Sequence, residues 1–248
     1  MLVFAASVVA QSAKVSVLIS GGFSAAYLEL LPQFEKSTGI TVTTARGASQ
    51  GSGGDGPTTI DAQLRRGLPA DVVILSREGL AELLAEGRIL TGSDVDLAQV
   101  PLGVGVRAGT PRPDISTVNA FKQTLLRAKS IGMQSTSGMY LKTKVFPQLG
   151  IAGALTEKLS GAGAAEVASG KVEMVVLPVS EILPIRGVDL VGTIPADLQF
   201  VQTFAAAIVK GAQNPEAAKR LIDFLTSDKA TPTVEKIGME RPEKTAKH

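Results

Sequence analysis

Short apolar segments alternate with amphipathic segments through the first third of the chain. "KVSVLIS" at residues 14–20 has the character of a strand, and a helical pattern follows it after Gly21-Gly22. "ITVTTAR" at 40–46 and "ADVVILS" at 70–76 repeat the strand pattern, and "REGLAELLAEGRI" repeats the helical one. This alternation predicts an α/β fold with mainly parallel sheets flanked by helices.

From Val100 onward the pattern begins again as a second unit. "VPLGVGVRAGTP" predicts its first strand, and helix and strand segments then alternate along the chain. The predicted elements are helices near 117–128 and 138–148, strands at 130–134, 171–178, 188–194 and 200–210, and a C-terminal helix that opens at Asn214-Pro215. The sequence therefore predicts two α/β lobes.

Two strand-to-helix corners share one plan. "LISGGFSAAYLELLPQFEKSTGI" and "GMQSTSGMYLKTKVFPQLGI" each run from a strand through a Ser/Gly loop into a helix. A helix N-terminus carries unsatisfied N–H groups and roughly half a positive charge, and open α/β sheets bind ligands at the carboxyl ends of their strands. Two such corners facing one cleft predict a site for a small anion. The alternative is that Ser135 or Ser137 merely caps its helix.

Composition excludes several classes of function. The chain has no cysteine and its only histidine is the last residue, His248, which leaves no thiolate zinc site, no Cys nucleophile and no Ser-His-Asp triad. The net charge is +2 and aromatic residues make up 4%, so we expect no nucleic-acid partner. We also expect no metal and no cofactor.

The N-terminus carries an apolar run at residues 2–10 that is too short to span a bilayer. It is typical of the end of a secretory signal without its charged leading segment, and the alternative is a disordered or tag-adjacent tail. We expect residues 1–13 to be either the remnant of a signal peptide or such a disordered tail. No later segment reaches membrane-spanning length, so we expect an exported protein, periplasmic in location, that does not cross the membrane.

Several motifs resemble one family. The "SGGFSAA" corner, "PADVVILS", "STSGMYLKTKVFPQLGI" and the ending "NPEAAKRLIDFLTSDKATPTVEKIGM" are similar to the molybdate-binding-protein-like type II periplasmic solute-binding proteins of ABC importers. "TSGMYLKTKVFPQLGI" and "PVSEILPIRGVDLVGTIPADLQ" also resemble a subgroup that includes bacterial aconitate isomerase. The resemblance covers roughly residues 14–240.

The resemblance implies a two-lobed fold with the ligand between the lobes. Residues 14–100 and 201–240 would form the first lobe, residues 101–200 the second, and residues 241–248 a disordered tail. The crossovers would lie near Val100–Leu102 and Asp197–Thr203. Hinge closure around a ligand is characteristic of periplasmic binding proteins.

The candidate ligand-binding residues lie at the ends of predicted strands and at the starts of helices. They are Ser20, Gly21, Gly22, Arg46, Ser49, Ser76, Ser135, Ser137, Gly138, Tyr140 and Ser180. The alternatives are capping for the serines, a solvated loop charge for Arg46 and core packing for Tyr140. Glu181 is interpreted as a helix-start carboxylate.

Two classes of function follow. The first is an exported receptor, expected to be a monomer, that holds a small anion for an ABC permease. An organic polycarboxylate fits better than molybdate, because the Arg46 guanidinium can bind a carboxylate through two hydrogen bonds. The second is a cofactor-independent aconitate isomerase that uses the same cleft, with Tyr140 as the base. A soluble sensor is a third possibility.

Overall fold

The computed structural model describes residues 13–51 and 58–242. Over these ranges the chain forms two five-stranded sheets with flanking helices, so the predicted two-lobed α/β fold class is confirmed. The predicted N-terminal signal or tail lies outside the described residues except for Ala13, and so do residues 243–248 of the predicted C-terminal tail.

The first sheet has the strand order β2-β1-β3-β10-β4. Its strands are β1 Lys14–Ile19, β2 Thr41–Arg46, β3 Val72–Ser76, β4 Val95–Val100 and β10 Gln202–Ile208. Strand β1 pairs in parallel with β2 and β3, which brings the carboxyl ends of all three to one edge. Strand β10 runs antiparallel to both β3 and β4.

The second sheet has the strand order β7-β6-β8-β5-β9. Its strands are β5 Leu102–Arg107, β6 Ile131–Gly132, β7 Leu159–Ser160, β8 Met174–Pro178 and β9 Val188–Thr193. Strand β6 is parallel to β7 and β8, and β5 is antiparallel to β8 and β9. The sheets are more mixed than the strand-helix alternation predicts, because β5 and β10 are each entered from the other sheet rather than through a crossover helix.

The helices cover the faces of the two sheets. Around the first sheet they are α1 Gly21–Thr38, α2 Ile60–Arg65, α3 Arg77–Ala85, α10 Pro215–Thr226 and α11 Thr231–Lys236. Around the second they are α4 Val118–Arg127, α5 Ser135–Tyr140, α6 Phe146–Gln148, α7 Ala152–Leu155, α8 Ala164–Ala168 and α9 Val179–Ile182. A π-helical segment, Leu141–Val145, joins α5 to α6. No helix among the described residues is long and apolar enough to cross a bilayer.

We call each sheet with its helices a lobe. The chain leaves the first lobe at Pro101 and returns between Thr193 and Gln202. The lobes also touch directly, because Val179 of α9 packs into the core of the first lobe beside residues such as Phe23. The two lobes are therefore in direct contact in this structure.

Candidate functional site

The first-lobe corner, Ser20–Gly22, has a buried hydroxyl without a partner among residues 13–51 and 58–242. Ser20 follows β1 and precedes α1, and its side chain is only 3% exposed. Its Oγ bonds to none of the described residues, and neither does the buried Oγ of Ser24, which lies four positions along and so on the same face of α1. The first turn of α1, all of it described, contains no acidic residue. The corner therefore presents hydroxyls and helix N–H groups that an anion can bind.

The two glycines let other elements approach the start of α1. A Cβ on Gly22 would lie 1.9 Å from Cζ of Phe204, on β10, which no real contact permits. A Cβ on Gly21 would lie 2.6 Å from Oε2 of Glu181. The carboxyl group of Glu181, from the second lobe, therefore lies against the first residue of α1.

Glu181 stands in the first turn of α9. It is partly buried and accepts no hydrogen bond from any described residue. Burial raises the pKa of this carboxyl to about 7, and the positive charge of Arg46 acts in the opposite direction. Sequence reasoning interpreted Glu181 as a helix-start carboxylate only. Its position directly after Ser180, at the end of a buried strand, was the available signal.

Arg46 and Ser49 lie at the carboxyl end of β2 and just beyond it. Arg46 pairs in register with Ile19, the residue before Ser20, and its side chain is exposed. Ser49 is buried, and its Oγ accepts the backbone N–H of Ser76 at 2.9 Å. Arg46 thus stands beside the first-lobe corner, whereas the hydroxyl of Ser49 fixes the end of β3.

The start of α5 closes onto the first lobe through hydroxyl groups. Ser135 Oγ accepts the backbone N–H of Gln50 at 3.1 Å. Thr136 Oγ1 donates to Gln50 Oε1 at 3.0 Å and lies 2.9 Å from Ser76 Oγ. Ser135 is the single non-glycine residue of the described chain with a positive φ, 50°, a conformation that occurs more often at functional sites.

Gln50 and Thr136, which take part in these contacts between the lobes, were not predicted from the sequence. Gln50 follows Ser49 directly, and Thr136 stands between Ser135 and Ser137. Each therefore neighbours a predicted residue. The sequence feature that could have identified them is the run of polar residues in "SQ" and in "STS". What the sequence did not show is that the runs face each other across the lobes.

The remaining predicted residues have other contacts. Ser137 Oγ donates to the carbonyl of Gln134 at 2.9 Å. The Tyr140 hydroxyl donates to the carbonyl of Leu198 at 3.3 Å, and its ring stacks on Phe200 with the centroids 4.7 Å apart. The Tyr140 side chain therefore contacts the connection that returns to the first lobe.

Ser180 and Gly138 complete the predicted set. The buried Ser180 Oγ donates to the carbonyl of Gly22 at 2.7 Å, which joins α9 to α1 across the lobes. At Gly138 a Cβ would find its nearest neighbour 3.4 Å away, an ordinary contact, so packing does not require glycine there. The structure thus brings together Ser20, Gly21, Gly22, Ser180 and Glu181 in one place, and Ser49, Ser76 and Ser135 in another.

Two further features bear on what this cleft can hold. Within residues 13–51 and 58–242 there is no cluster of three His, Cys, Asp or Glu side chains that could hold a metal ion. A cavity of about 690 Å³ lies beside Arg107 and Arg127, at the end of β5 opposite to the cleft, and none of the candidate residues lines it. The described residues that meet at the first-lobe corner offer a hydroxyl, backbone N–H groups, the Arg46 guanidinium beside it and the Glu181 carboxyl.

Comparison with known families places this geometry in context. Residues 15–240 match the family model described as bacterial extracellular solute-binding protein. The match extends over nearly all of the described chain. The chain belongs to this family. Relatives of this bacterial extracellular solute-binding protein differ in what their names say they do.

A protein from Pseudomonas sp. named aconitate isomerase is 36% identical over 230 residues, which cover 91% of this chain and 87% of the relative. The molybdate-binding protein ModA of Azotobacter vinelandii is 28% identical over 243 residues, 92% and 90% of the two chains. The solved periplasmic molybdate-binding protein of that organism superposes with a TM-score of 0.73 at 20% identity, over 92% of this chain and all of that one. This last likeness concerns the fold.

Proposed function

We propose that this solute-binding protein is exported, binds a small organic polycarboxylate between its lobes and presents it to an ABC-type permease. The observation that carries the proposal is the first-lobe corner. There, the buried Ser20 hydroxyl lies at the N-terminus of an 18-residue helix and bonds to none of the described residues. The carboxyl of Glu181 is the described anionic group nearby, and it accepts no hydrogen bond from any described residue. Donors that are buried without acceptors favour an anionic ligand.

Arg46 directs the choice of anion toward carboxylates. Its guanidinium is exposed beside the corner and forms no ion pair with a described residue. A planar guanidinium binds a carboxylate through two parallel hydrogen bonds. A ligand with two or more carboxylates can place one at the helix N-terminus and another on Arg46.

Isothermal titration calorimetry tests the proposal with trans-aconitate, citrate, molybdate and sulfate. We expect the two carboxylates to bind more tightly than the two oxyanions, and Arg46→Ala to weaken carboxylate binding by about 10- to 100-fold, the loss of a charge-assisted pair. Arg220→Ala, on the exposed face of α10, is the matched control and should bind like the wild type. Tighter binding of molybdate or sulfate, or an unchanged affinity in Arg46→Ala, would contradict the proposal.

A second candidate function is aconitate isomerisation in the same cleft. The observation that favours it is the 36% identity, over 91% of the chain, to the protein named aconitate isomerase. Moving the double bond requires one group that removes a proton from one carbon and returns a proton to another. Tyr140 is the base proposed from the sequence, and the unbonded carboxyl of Glu181 is the alternative that the structure offers.

Proton NMR of trans-aconitate with the protein in deuterated buffer tests this candidate. Formation of cis-aconitate, or deuterium entering the methylene position faster than without protein, would show an isomerase. Tyr140→Phe and Glu181→Gln would then identify the group, since only the variant that lacks it loses turnover while still binding trans-aconitate. An unchanged spectrum together with calorimetric binding would exclude isomerisation of trans-aconitate and support the receptor function.

A further inference from the structure

A carboxyl group lies beside the helix N-terminus at which the ligand's anion is expected. Glu181 Oε2 lies 2.6 Å from the position a Cβ would take on Gly21, the first residue of α1. No described residue donates a hydrogen bond to this carboxyl, although it is partly buried. A buried ionised carboxylate is normally paired or hydrogen-bonded, so the geometry around Glu181 favours its neutral form.

The surrounding charges give Glu181 little compensation. Arg46 lowers its pKa, but burial raises the pKa more, to about 7. Asp189 of β9 accepts from the backbone N–H of Gly109, away from the cleft, and Lys236 of α11 pairs with Glu29 of α1. Arg107 of β5 lines the cavity beside Arg127, and Glu35 of α1 accepts the backbone N–H of Val42. Arg46, on the neighbouring strand β2, is the described charged group that acts on the pKa of Glu181.

An anionic ligand would shift this balance further. A ligand carboxylate at the N-terminus of α1 would stand close to Glu181, and two like charges at one site oppose each other's ionisation. The same group, once protonated, becomes an O–H donor directed at the ligand. The Glu181 side chain, which repels an anionic ligand when it is ionised, would then donate a hydrogen bond to that ligand.

We propose that Glu181 binds the ligand as a neutral carboxylic acid, donating a hydrogen bond to it, so that the protein takes up a proton as each ligand binds near neutral pH. This inference rests on the proposed function, since it needs an anion in the cleft. It assigns to Glu181 the role of a ligand-binding residue that makes affinity depend on pH.

Calorimetry of trans-aconitate binding in buffers of different ionisation enthalpy at pH 7.5 measures the proton directly. We expect wild-type protein to take up between half a proton and one proton per ligand. The affinity should fall by up to about tenfold per pH unit above pH 7.5, the limit for one proton. Glu181→Gln, which imitates the neutral acid, should take up no proton and keep the same affinity from pH 6 to pH 8.5. Glu157→Gln, an exposed control, should behave like the wild type.

The outcomes separate this inference from the proposed function. Binding of trans-aconitate without proton uptake by the wild type, or with uptake that persists in Glu181→Gln, would overturn the role of Glu181 and leave the receptor intact. No saturable heat with trans-aconitate, citrate, molybdate or sulfate at either pH 6 or pH 8.5 would overturn both. The wild-type measurement needs no variant, so it decides the question even if Glu181→Gln does not fold.

Discussion

The first-lobe corner at Ser20–Gly22 and the second-lobe corner at Ser135–Gly138 follow the same sequence plan but differ in how their hydroxyls are used. Ser20 Oγ is buried and has no hydrogen-bond partner in the part of the chain that the structure describes. In the second corner, Ser135 bonds to Gln50 of the other lobe and Ser137 to the carbonyl of Gln134. Both corners join the lobes, the first through the Gly22 carbonyl that accepts from Ser180 and the second through Ser135. They differ in that the serine hydroxyls of the second corner are hydrogen-bonded, whereas the Ser20 hydroxyl bonds to none of the described residues.

The glycines of the two corners differ in the same way. Gly22 is required because the buried Phe204 ring occupies the space of a side chain, whereas at Gly21 that space is taken by the flexible end of Glu181. Gly138 has room for a Cβ. Similar Ser/Gly motifs therefore serve different purposes, since the first corner accommodates close packing and the proposed anion site, whereas the second supplies hydroxyl contacts between the lobes.

The largest expected effect separates the glycines. Gly22→Ala forces a Cβ into the Phe204 ring, so we expect a loss of at least about 3 kcal/mol in the free energy of unfolding. Gly138→Ala should change it by less than about 1 kcal/mol, because the site has space and alanine favours helix. Urea denaturation of the two variants measures both values. Equal losses would show that the corners are packed alike.

The next effect concerns Glu181 and pH. Because its pKa is raised from 4.5 to about 7, the folded protein binds more protons than the unfolded chain between these values, and wild-type stability falls as pH rises through that window. Glu181→Gln removes the titrating group. We therefore expect the free energy of unfolding of this variant, relative to that of the wild type, to rise by up to about 3 kcal/mol between pH 4.5 and pH 7.5. Urea denaturation of both proteins without ligand at the two pH values measures the gain. A difference that does not change with pH would contradict the raised pKa.

A smaller effect contrasts the serines. Ser20→Ala should weaken trans-aconitate binding by about tenfold, the loss of one hydrogen bond to a charged group. It should leave the free energy of unfolding unchanged or slightly higher, because the hydroxyl bonds to none of the described residues. Ser137→Ala should do the reverse, with unchanged affinity and a loss of about 1 kcal/mol in stability. Calorimetry and urea denaturation separate the two effects. The comparison fails if Ser137→Ala loses affinity and Ser20→Ala does not.

The smallest expected effect tests the closing contacts. Thr136→Val keeps the shape of the side chain but removes its hydrogen bonds to Gln50 and Ser76, so the closed form should lose about 1 kcal/mol. We expect trans-aconitate affinity to fall about fivefold, with a larger radius of gyration in solution scattering. Thr143→Val, exposed in the same continuous helix, is the control. Unchanged affinity and dimensions in Thr136→Val would show that these bonds do not hold the lobes together.

Much of the fold followed from apolar periodicity. Strands β1 and β3 and the long helix α1 were predicted because each buries a regular apolar pattern. Strand β2 was predicted from its β-branched residues, although its side chains are exposed or half-buried at the sheet edge. Strand β4, Val95–Val100, was not, because Asp96 within it and Asp94 just before it suggest a loop. The structure places β4 at the sheet edge, where Asp96 pairs with Arg77. Helix α5 begins at Ser135 rather than near Gly138, since small hydroxyl residues have weak helix propensity and hide a helix start.

The candidate site was predictable only in part. The carboxyl ends of β1, β2 and β3 meet at one edge because the strands are parallel, so Ser20, Arg46 and Ser76 could be expected near one another. The position of Glu181 against Gly21 could not, because it depends on how closely the two lobes approach. Sequence periodicity describes each lobe separately and contains no information on that distance.

The central claim is that the first-lobe corner is where an anionic ligand binds. Nitrogen–proton correlation NMR of labelled protein titrated with trans-aconitate tests it most directly, because glycine amides occupy a distinct region of the spectrum. We predict saturable shifts that are largest at the amides of Gly21 and Gly22 and also affect Arg46, with smaller changes at Gly138. Saturable shifts centred elsewhere, with Gly21 and Gly22 unmoved, would contradict the claim.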